Sequence, residues 1–224
     1  MVVYLMLPNL QPMKKIFFLL TVLSGIFCFA QKEFQPTGSE IIETVDGDLD
    51  GDKTPEKVII YNTKDTTDMG NIREIQILKK VNGKWTILEK SRKAILESKG
   101  GGMMGDPYGD TTIEKGILMI SQSGGSSWKW GYTDKYRFQN GRFELIGHSS
   151  SYGRPGDYWV DVDFNLSTGQ LKYTKEVEST DIPENGKSQQ ETYIKKGMKI
   201  NLQNRNLEDQ RKIVLPKTKA EIYI

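Results

Sequence analysis

The chain has 224 residues, with 31 basic and 29 acidic side chains, one histidine and one cysteine. A formal net charge of +2 gives no strong overall attraction to nucleic acid or to anionic lipid, which excludes binding driven by bulk charge. One cysteine and one histidine exclude a disulfide framework and leave too few ligands for a Cys/His zinc site.

The first thirty residues have the order of a secretory signal peptide. Lys14 and Lys15 form a basic start, residues 16–29 are almost wholly apolar, and Ala30 offers a small residue for cleavage. Residues 1–12 precede this start and are interpreted as the product of an upstream start codon. We therefore expect a secreted or periplasmic protein whose mature chain begins at Gln31.

Two other fates of this segment are open. The first alternative is a retained membrane anchor, which the shortness of the apolar run disfavours. The second is a lipid anchor on Cys28, which Phe27 disfavours because lipidation needs a small residue at that position. Since Lys14 and Lys15 are the only charges of the segment, cleavage leaves 29 basic and 29 acidic residues. We expect residues 31–224 to form one domain with no nucleic-acid partner and no membrane association after cleavage.

Alternating carboxylates mark residues 48–56, which read DLDGDKTPE and lead into the apolar run VIIY. Carboxylates at alternate positions, with a glycine for the turn, allow a short loop to wrap a hard cation in oxygen ligands. The pattern predicts a structural calcium site, because all the ligands come from one loop that continues into a strand. An acidic surface turn without an ion is the alternative.

The rest of the chain predicts an all-β fold of antiparallel hairpins, packed as a sandwich or a barrel-like sheet. Asn82-Gly83 and Asn140-Gly141 lie between strand-like runs and favour two-residue type I′ turns. Residues 167–169 predict a third hairpin, and residues 117–120 a central strand buried on both faces. The one predicted helix of this domain is short, from Ser91 to Ser98, with Ala94, Ile95 and Leu96 facing inward.

Aromatic residues alternate along one predicted strand. A two-residue turn pairs Phe138 with Phe143, and the same parity places Trp128, Trp130, Tyr132, Tyr136 and Phe138 on one face, interrupted at Asp134. Such a face is usually core. A second hypothesis makes Trp128 and Trp130 an exposed platform for a sugar or a peptide.

Two glycine-rich segments, residues 100–110 and 124–127, frame this strand. Long loops in compact domains are often functional, so these segments are candidates for the border of a ligand cleft lined by Asp106 and Asp110. Evidence for catalysis is thin. His148 is the single histidine and lacks a nucleophile-elbow motif, and we interpret it as an ordinary strand-end or loop residue rather than a catalytic one.

Residues 47–56 resemble the calcium loop of integrin-type propeller repeats, the FG-GAP or VCBS pattern. The loop departs from the pattern at Lys53, where glycine is usual, and at its last ligand, where aspartate is usual. The resemblance implies these ligands: the side chains of Asp48, Asp50, Asp52 and Glu56 and the main-chain carbonyl of Thr54. The loop occurs once, so a whole propeller is not implied.

The order of motifs between Asp46 and Tyr173 is similar to that of a family of uncharacterised secreted bacterial β proteins. The motifs are ILMI at 117–120, GGS at 124–126, YRF at 136–138, FELIG at 143–147 and NLSTG at 165–169. The resemblance implies one extracytoplasmic domain and carries no activity.

Together these features predict a secreted, calcium-stabilised β domain that binds an envelope glycan or protein without catalysis. Two alternatives are a secreted hydrolase with carboxylate chemistry and an inhibitor of an envelope-degrading enzyme. A cleft with converging carboxylates would favour the hydrolase, and a protruding loop with a polar tip would favour the inhibitor.

Overall fold

The computed structural model describes residues 33–178 and 187–224. The chain divides into a unit of residues 1–36 and a compact unit of residues 37–224. The predicted signal peptide lies outside the described residues. Within the described part of the chain, every helix is too short or too polar to cross a bilayer.

The compact unit contains two antiparallel sheets, which confirms the all-β prediction. The first sheet has four strands in sequential order: β1 (Glu40–Gly47), β2 (Glu56–Thr67), β3 (Gly70–Val81) and β4 (Lys84–Ser91). Val58 and Ile60 of β2 pair with Ile77 and Ile75 of β3, so four β-branched side chains lie on one face. All four are buried in the core.

The second sheet is a seven-stranded meander, in which each strand pairs with the next along the chain. Its strands are β5 (Tyr108–Glu114), β6 (Ile117–Gly125), β7 (Lys129–Gln139), β8 (Arg142–Gly153), β9 (Tyr158–Asn165), β10 (Gln170–Val177) and β11 (Gln189–Ile194). A short hairpin near the C-terminus consists of β12 (Lys212–Val214) and β13 (Glu221–Tyr223).

The predicted hairpins are confirmed, because their turn residues adopt the backbone angles that the sequence allows. Asn82 and Gly83 have φ angles of 52° and 77°, and Asn140 and Gly141 have 54° and 76°. Positive φ at both central residues is the requirement of a type I′ turn. The third hairpin pairs Asn165 with Gln170 across residues 166–169.

Residues of the two sheets belong to one hydrophobic core. Val58 and Ile75 of the first sheet belong to the same buried cluster as Leu118, Tyr136 and Phe164 of the second. The C-terminal segment adds further core residues to this cluster: Ile200, Leu202, Ile213, Leu215, Ile222 and Ile224. Burial of this apolar surface is the main stabilising contribution in a chain of this composition.

The predicted helix at 91–98 is wrong, although Ala94 and Ile95 are buried as expected. The main chain there is bound by other groups: Ser91 Oγ accepts from Lys93 N, Gln122 accepts from Leu96 N at 2.8 Å, and Ser98 N donates to Asn71 O. These bonds compete with the i to i−4 bonds of a helix. The short helix of this region is instead a 3-10 turn, Gly102–Met104.

The predicted parity along β7 is confirmed. Phe138 pairs with Phe143 and Tyr136 with Leu145, and a bulge in β8 follows before Lys135 pairs with Gly147. The bulge adds one residue to β8 and thereby places His148 opposite Asp134, on the same face as the aromatic residues.

Candidate functional site

A cavity of about 690 Å³ lies between the aromatic face of the seven-stranded sheet and the C-terminal segment. Strands β7 to β10 supply one wall, because residues paired across antiparallel strands point to the same face. The segment around β12 and β13 supplies the other. Residues that line the cavity include Trp130, Tyr132, His148, Ser150, Tyr152, Tyr158, Val160, Val162, Tyr173, Lys175, Leu207, Gln210, Ala220, Glu221, Ile222 and Tyr223.

The sheet wall of the cavity is mainly aromatic. Trp130 stacks on Tyr132 with ring centroids 6.1 Å apart, and Tyr132 stacks on His148 at 5.7 Å. At the rim, the ammonium group of Lys175 lies 4.3 Å from the ring centroid of Tyr158. The cavity thus combines flat apolar surfaces with a few polar groups, as small-molecule sites do.

The floor of the cavity rests on a buried charge cluster formed by Asp134, His148 and Arg205. Asp134 Oδ1 lies 2.7 Å from His148 Nδ1, and Asp134 Oδ2 accepts from Arg205 Nε at 2.7 Å. The three residues are 1%, 3% and 1% exposed. Because the ionised carboxylate can only accept, Nδ1 carries a proton and donates it to Asp134.

Electrostatics keep this carboxylate ionised. Burial alone would raise the pKa of Asp134, but the charge of Arg205 and the hydrogen bond from His148 hold it at about 2. Arg205 reaches the cluster from the C-terminal segment. Its main-chain N–H donates there to Asn201 O at 2.8 Å. Residues 200 and 202 exchange main-chain hydrogen bonds with Leu145 and Phe143 of β8, which fixes that segment against the sheet.

Among the described residues, His148 Nε2 has no hydrogen-bond partner, although it is buried and its side chain lines the cavity. Ser150 lines the same cavity without forming a Ser–His hydrogen bond. Of the described lining residues, Glu221 is the one carboxylate. The described lining of the cavity therefore contains neither a catalytic triad nor the carboxylate pair of a glycosidase.

The acidic loop lies between β1 and β2 and gathers three of its predicted ligands. Carboxylate oxygens of Asp48, Asp50 and Glu56 lie within 4.8 Å of one another. Lys79 of β3 reaches into this group: its ammonium nitrogen donates to Asp50, lies 2.7 Å from Asp52 Oδ2 and 4.0 Å from Glu56 Oε1. The sequence did not single out Lys79.

Side-chain hydrogen bonds order the loop. Asp48 accepts from Gly51 N at 2.7 Å and from Lys53 N at 3.0 Å, and Asp52 accepts from Thr54 N at 2.7 Å. Lys53 stands where the resembling loops usually have glycine. Its φ angle of 68° shows that it adopts the left-handed backbone conformation of that position.

Glu56 is the buried member of the loop. Its Oε2 accepts from Leu49 N at 2.8 Å, while Oε1 has no hydrogen bond within the described residues. Burial raises its pKa, and the nearby carboxylates of Asp50 and Asp52 add to this. The hydrogen bonds that Lys79 donates to Asp50 and Asp52 raise the pKa of the lysine, so it carries its full charge among these carboxylates.

The other predicted site residues lie apart from the cavity, except Trp130. Trp128 stacks on Tyr152 at 5.2 Å and contacts Tyr158, with Arg154 over its ring, so it is part of a half-buried cluster rather than a bare platform. Asp106 forms an ion pair with the buried side chain of Arg73. Partial burial raises the pKa of Asp106, but hydrogen bonds from Arg73 and from Tyr108 N lower it below its usual value.

Asp110 is exposed on β5, where it pairs with Ser121 and therefore points to the opposite face of the sheet. The two glycine-rich segments contact each other: Gly125 N donates to Gly101 O at 2.8 Å. A Cβ on Gly124 would lie 2.4 Å from the Trp130 ring and 2.7 Å from Gly101 Cα. These glycines permit close packing behind Trp130, so the segments support the cavity wall and leave no cleft where they touch.

Compared with protein families, with curated proteins and with solved structures, the chain finds no match. The function is therefore argued from the geometry of the cavity and of the acidic loop. Sequence reasoning missed Arg205 and Lys79 and assigned His148 no role in a site. The one signal was Asp134, a charged residue at a core position in the aromatic strand, where a buried partner is required.

Proposed function

We propose that the protein is a secreted or periplasmic binding module that holds an envelope glycan in the aromatic cavity and is stabilised by calcium. The observation that carries the proposal is the cavity of about 690 Å³ with Trp130, Tyr132, Tyr152, Tyr158 and Tyr173 in its lining. That volume lies within the range of small-molecule sites, about 300–1,000 Å³. Flat aromatic rings suit the apolar faces of sugar rings, and the polar rim suits their hydroxyl groups.

Binding without catalysis agrees best with the chemistry of the lining. Glycoside hydrolysis generally uses two carboxyl groups on opposite sides of the scissile bond. The described lining offers Glu221, which is engaged by Lys212 and by the Tyr223 hydroxyl. Asp134 is held behind His148 by Arg205, so it supports the floor instead of facing a substrate.

Met103 is the most exposed large apolar residue of the described chain, and it provides a test of the inhibitor alternative. It is 89% exposed at the tip of the 3-10 turn. An apolar tip on a glycine-rich turn does not match the polar tip that an inhibitory loop would require, so the binding module remains the preferred function.

The acidic loop fits a calcium ion by its donor set. Asp48, Asp50 and Glu56 bring hard oxygen ligands together, and calcium accepts six to eight oxygens in loose geometry. Glu56 Oε1 has no hydrogen bond within the described residues, which suits an oxygen that would bind the ion. A bound ion would neutralise carboxylates that Lys79 alone compensates only in part, and the role is structural because the loop leads directly into β2.

The export part of the proposal rests on the order of residues 1–30. N-terminal sequencing of the exported protein should give Gln31 as the first residue. A chain that retains Met13, or a lipid on Cys28, would contradict it.

The glycan part is tested by a pull-down of the mature protein with peptidoglycan sacculi and with a soluble trisaccharide of β-1,4-linked N-acetylglucosamine, with and without calcium. Trp130→Ala should reduce retention at least tenfold, because it removes an aromatic surface from the cavity wall. Trp85→Ala is the matched control, since Trp85 is half-buried on β4 and does not line the cavity. No retention of wild-type protein, or equal loss in both variants, would remove the glycan from this proposal.

A further inference from the structure

We infer that the floor of the cavity recognises a neutral polyhydroxyl ring through His148 Nε2 as hydrogen-bond acceptor and the Tyr132 hydroxyl as donor. This rests on the proposed glycan-binding function and deepens it, because it names the two atoms that read the ligand and the chemical group that they read. A ligand hydroxyl donates to Nε2, and the same hydroxyl or its neighbour accepts from Tyr132.

The first support is the state of His148. Its side chain is 3% exposed, its Nδ1 is engaged by Asp134, and its Nε2 is without a hydrogen-bond partner among the described residues while its ring lines the cavity. Arg205 donates to the other carboxylate oxygen, Oδ2, so the Asp134 side chain is held from both sides. The hydrogen bond at Nδ1 therefore fixes the ring, and Nε2 is the nitrogen left to accept from a ligand.

The second support is Tyr132, which lies two residues before Asp134 on β7 and stacks on His148. Its buried hydroxyl has no acceptor for its proton within the described part of the chain. The Gln122 side chain accepts from Leu96 N at 2.8 Å and donates to Ala94 O at 3.3 Å, and its second amide N–H can donate to the Tyr132 oxygen. Burial raises the pKa of Tyr132, so the group is a neutral hydroxyl with a proton to donate.

Two polar atoms without partners on stacked neighbouring rings call for a polar occupant. A buried polar group that loses its hydrogen bonds to water without replacing them destabilises the fold. Such groups persist where a bound molecule satisfies them, and native proteins contain few of them. An acceptor beside a donor matches one hydroxyl group, which offers both functions.

The charges of the floor favour a neutral ligand over an ion. The carboxylate of Asp134 and the guanidinium of Arg205 offset each other within the cluster, and Arg205 Nη2 is left as a buried donor without a hydrogen-bond partner among the described residues. A carboxylate or phosphate would meet the lone pair of Nε2. Lys175 is the cationic group of the described lining and lies at the rim over Tyr158, away from the floor.

The single histidine of the chain makes the ring state directly measurable. In protein labelled with ¹⁵N-histidine, NMR of the ligand-free protein at pH 7.5 should show a proton on Nδ1 and none on Nε2. Addition of the N-acetylglucosamine trisaccharide should shift the Nε2 resonance far more than the Nδ1 resonance. A ring protonated at Nε2, or an Nε2 signal unmoved at saturation with the trisaccharide, would overturn the inference.

Tyr132→Phe tests the second atom without disturbing the fold. Because the hydroxyl proton has no acceptor among the described residues, its removal should leave the melting temperature nearly unchanged, whereas trisaccharide affinity should fall about tenfold. Tyr193→Phe on β11, outside the cavity lining, is the matched control and should bind normally. A lower melting temperature for Tyr132→Phe would show that the hydroxyl is paired within the protein and would overturn the inference.

A chemical variant of the probe separates this inference from the proposed function. The per-O-methylated trisaccharide keeps the apolar ring faces but has no hydroxyl donors, so its affinity should be at least tenfold lower. If wild-type protein binds both sugars equally and Trp130→Ala binds neither, the glycan proposal stands and the hydroxyl readout fails. If the wild-type protein binds neither sugar, the glycan proposal fails, and the NMR experiment alone decides whether Nε2 is the free acceptor.

Discussion

The acidic loop and the cavity floor both hold carboxylates next to a cation, yet they do so in opposite surroundings. In the loop, Lys79 is 22% exposed and Asp52 is 41% exposed, and neighbouring residues of one short segment supply the negative charges. In the floor, Asp134 and Arg205 are almost fully buried and come from positions 71 residues apart.

This difference determines what each cluster can do. An exposed cluster exchanges its cation at small cost, since water and salt screen its charges. A buried cluster does not tolerate an unpaired member, because each charge has lost its hydration. The loop is therefore suited to reversible ion binding, and the floor is suited to fixing the position of His148.

The largest expected effect is on the floor. Asp134→Ala leaves the guanidinium of Arg205 buried without its counter-ion and should lower the free energy of unfolding by about 3–5 kcal/mol. Urea denaturation measures this. Asp65→Ala is the control, because the exposed pair of Asp65 with Arg92 should contribute less than about 1 kcal/mol. Equal losses in the two variants would erase the distinction between the clusters.

Calcium should have the next largest effect, and on the loop alone. With a Kd near ~10 µM, ~1 mM calcium should stabilise the fold by about 2.7 kcal/mol and raise the melting temperature by several degrees. The double variant Asp48→Ala/Asp50→Ala should abolish this calcium-dependent stabilisation. The control is Asp161→Ala with Asp163→Ala, two exposed carboxylates at the same spacing on β9. No heat of calcium binding in calorimetry, and melting indifferent to chelator, would remove the ion.

Acid should act on the two regions with opposite signs. The folded-state pKa of Asp134 is depressed, so its stabilisation is complete above about pH 4 and is lost as pH falls toward 2, by roughly 2 kcal/mol. The pKa of Glu56 is raised, so its ionised form destabilises the calcium-free fold, and protonation relieves this. Between pH 6 and pH 2, the free energy of unfolding of Asp134→Asn should therefore fall less steeply than that of the wild type. Glu56→Gln should lack the stabilisation that protonation of Glu56 gives the wild type. Unchanged profiles in both variants would contradict this assignment.

Lys79 should have the smallest effect. Lys79→Met removes the cation that competes with calcium, so calcium should bind about tenfold tighter, roughly 1.4 kcal/mol, measured by titration calorimetry. Lys80→Met is the neighbouring control, because Lys80 lies over the Trp85 ring instead. Weaker calcium binding by Lys79→Met would mean that the lysine organises the ligands.

Much of the fold could be predicted because its signals are local. Asn-Gly at 82–83 and at 140–141 tolerates positive φ angles at adjacent positions, and alternation along β7 follows from the two-residue period of a strand. The helix prediction at 91–98 failed because apolar residues there are buried by a loop whose main chain is bound by Gln122 and Asn71. Those partners are distant in the sequence.

The sequence by itself determined the all-β class, the hairpin turns and the acidic loop, since each depends on residues close together in the chain. Only the tertiary structure decided that the glycine-rich segments pack behind Trp130, that Lys79 enters the acidic loop and that Arg205 holds Asp134 against His148. The physical reason is that charges and cavities are assembled across strands. A one-residue bulge in β8 sets which residue faces Asp134, and a C-terminal segment folded over the sheet provides its counter-ion.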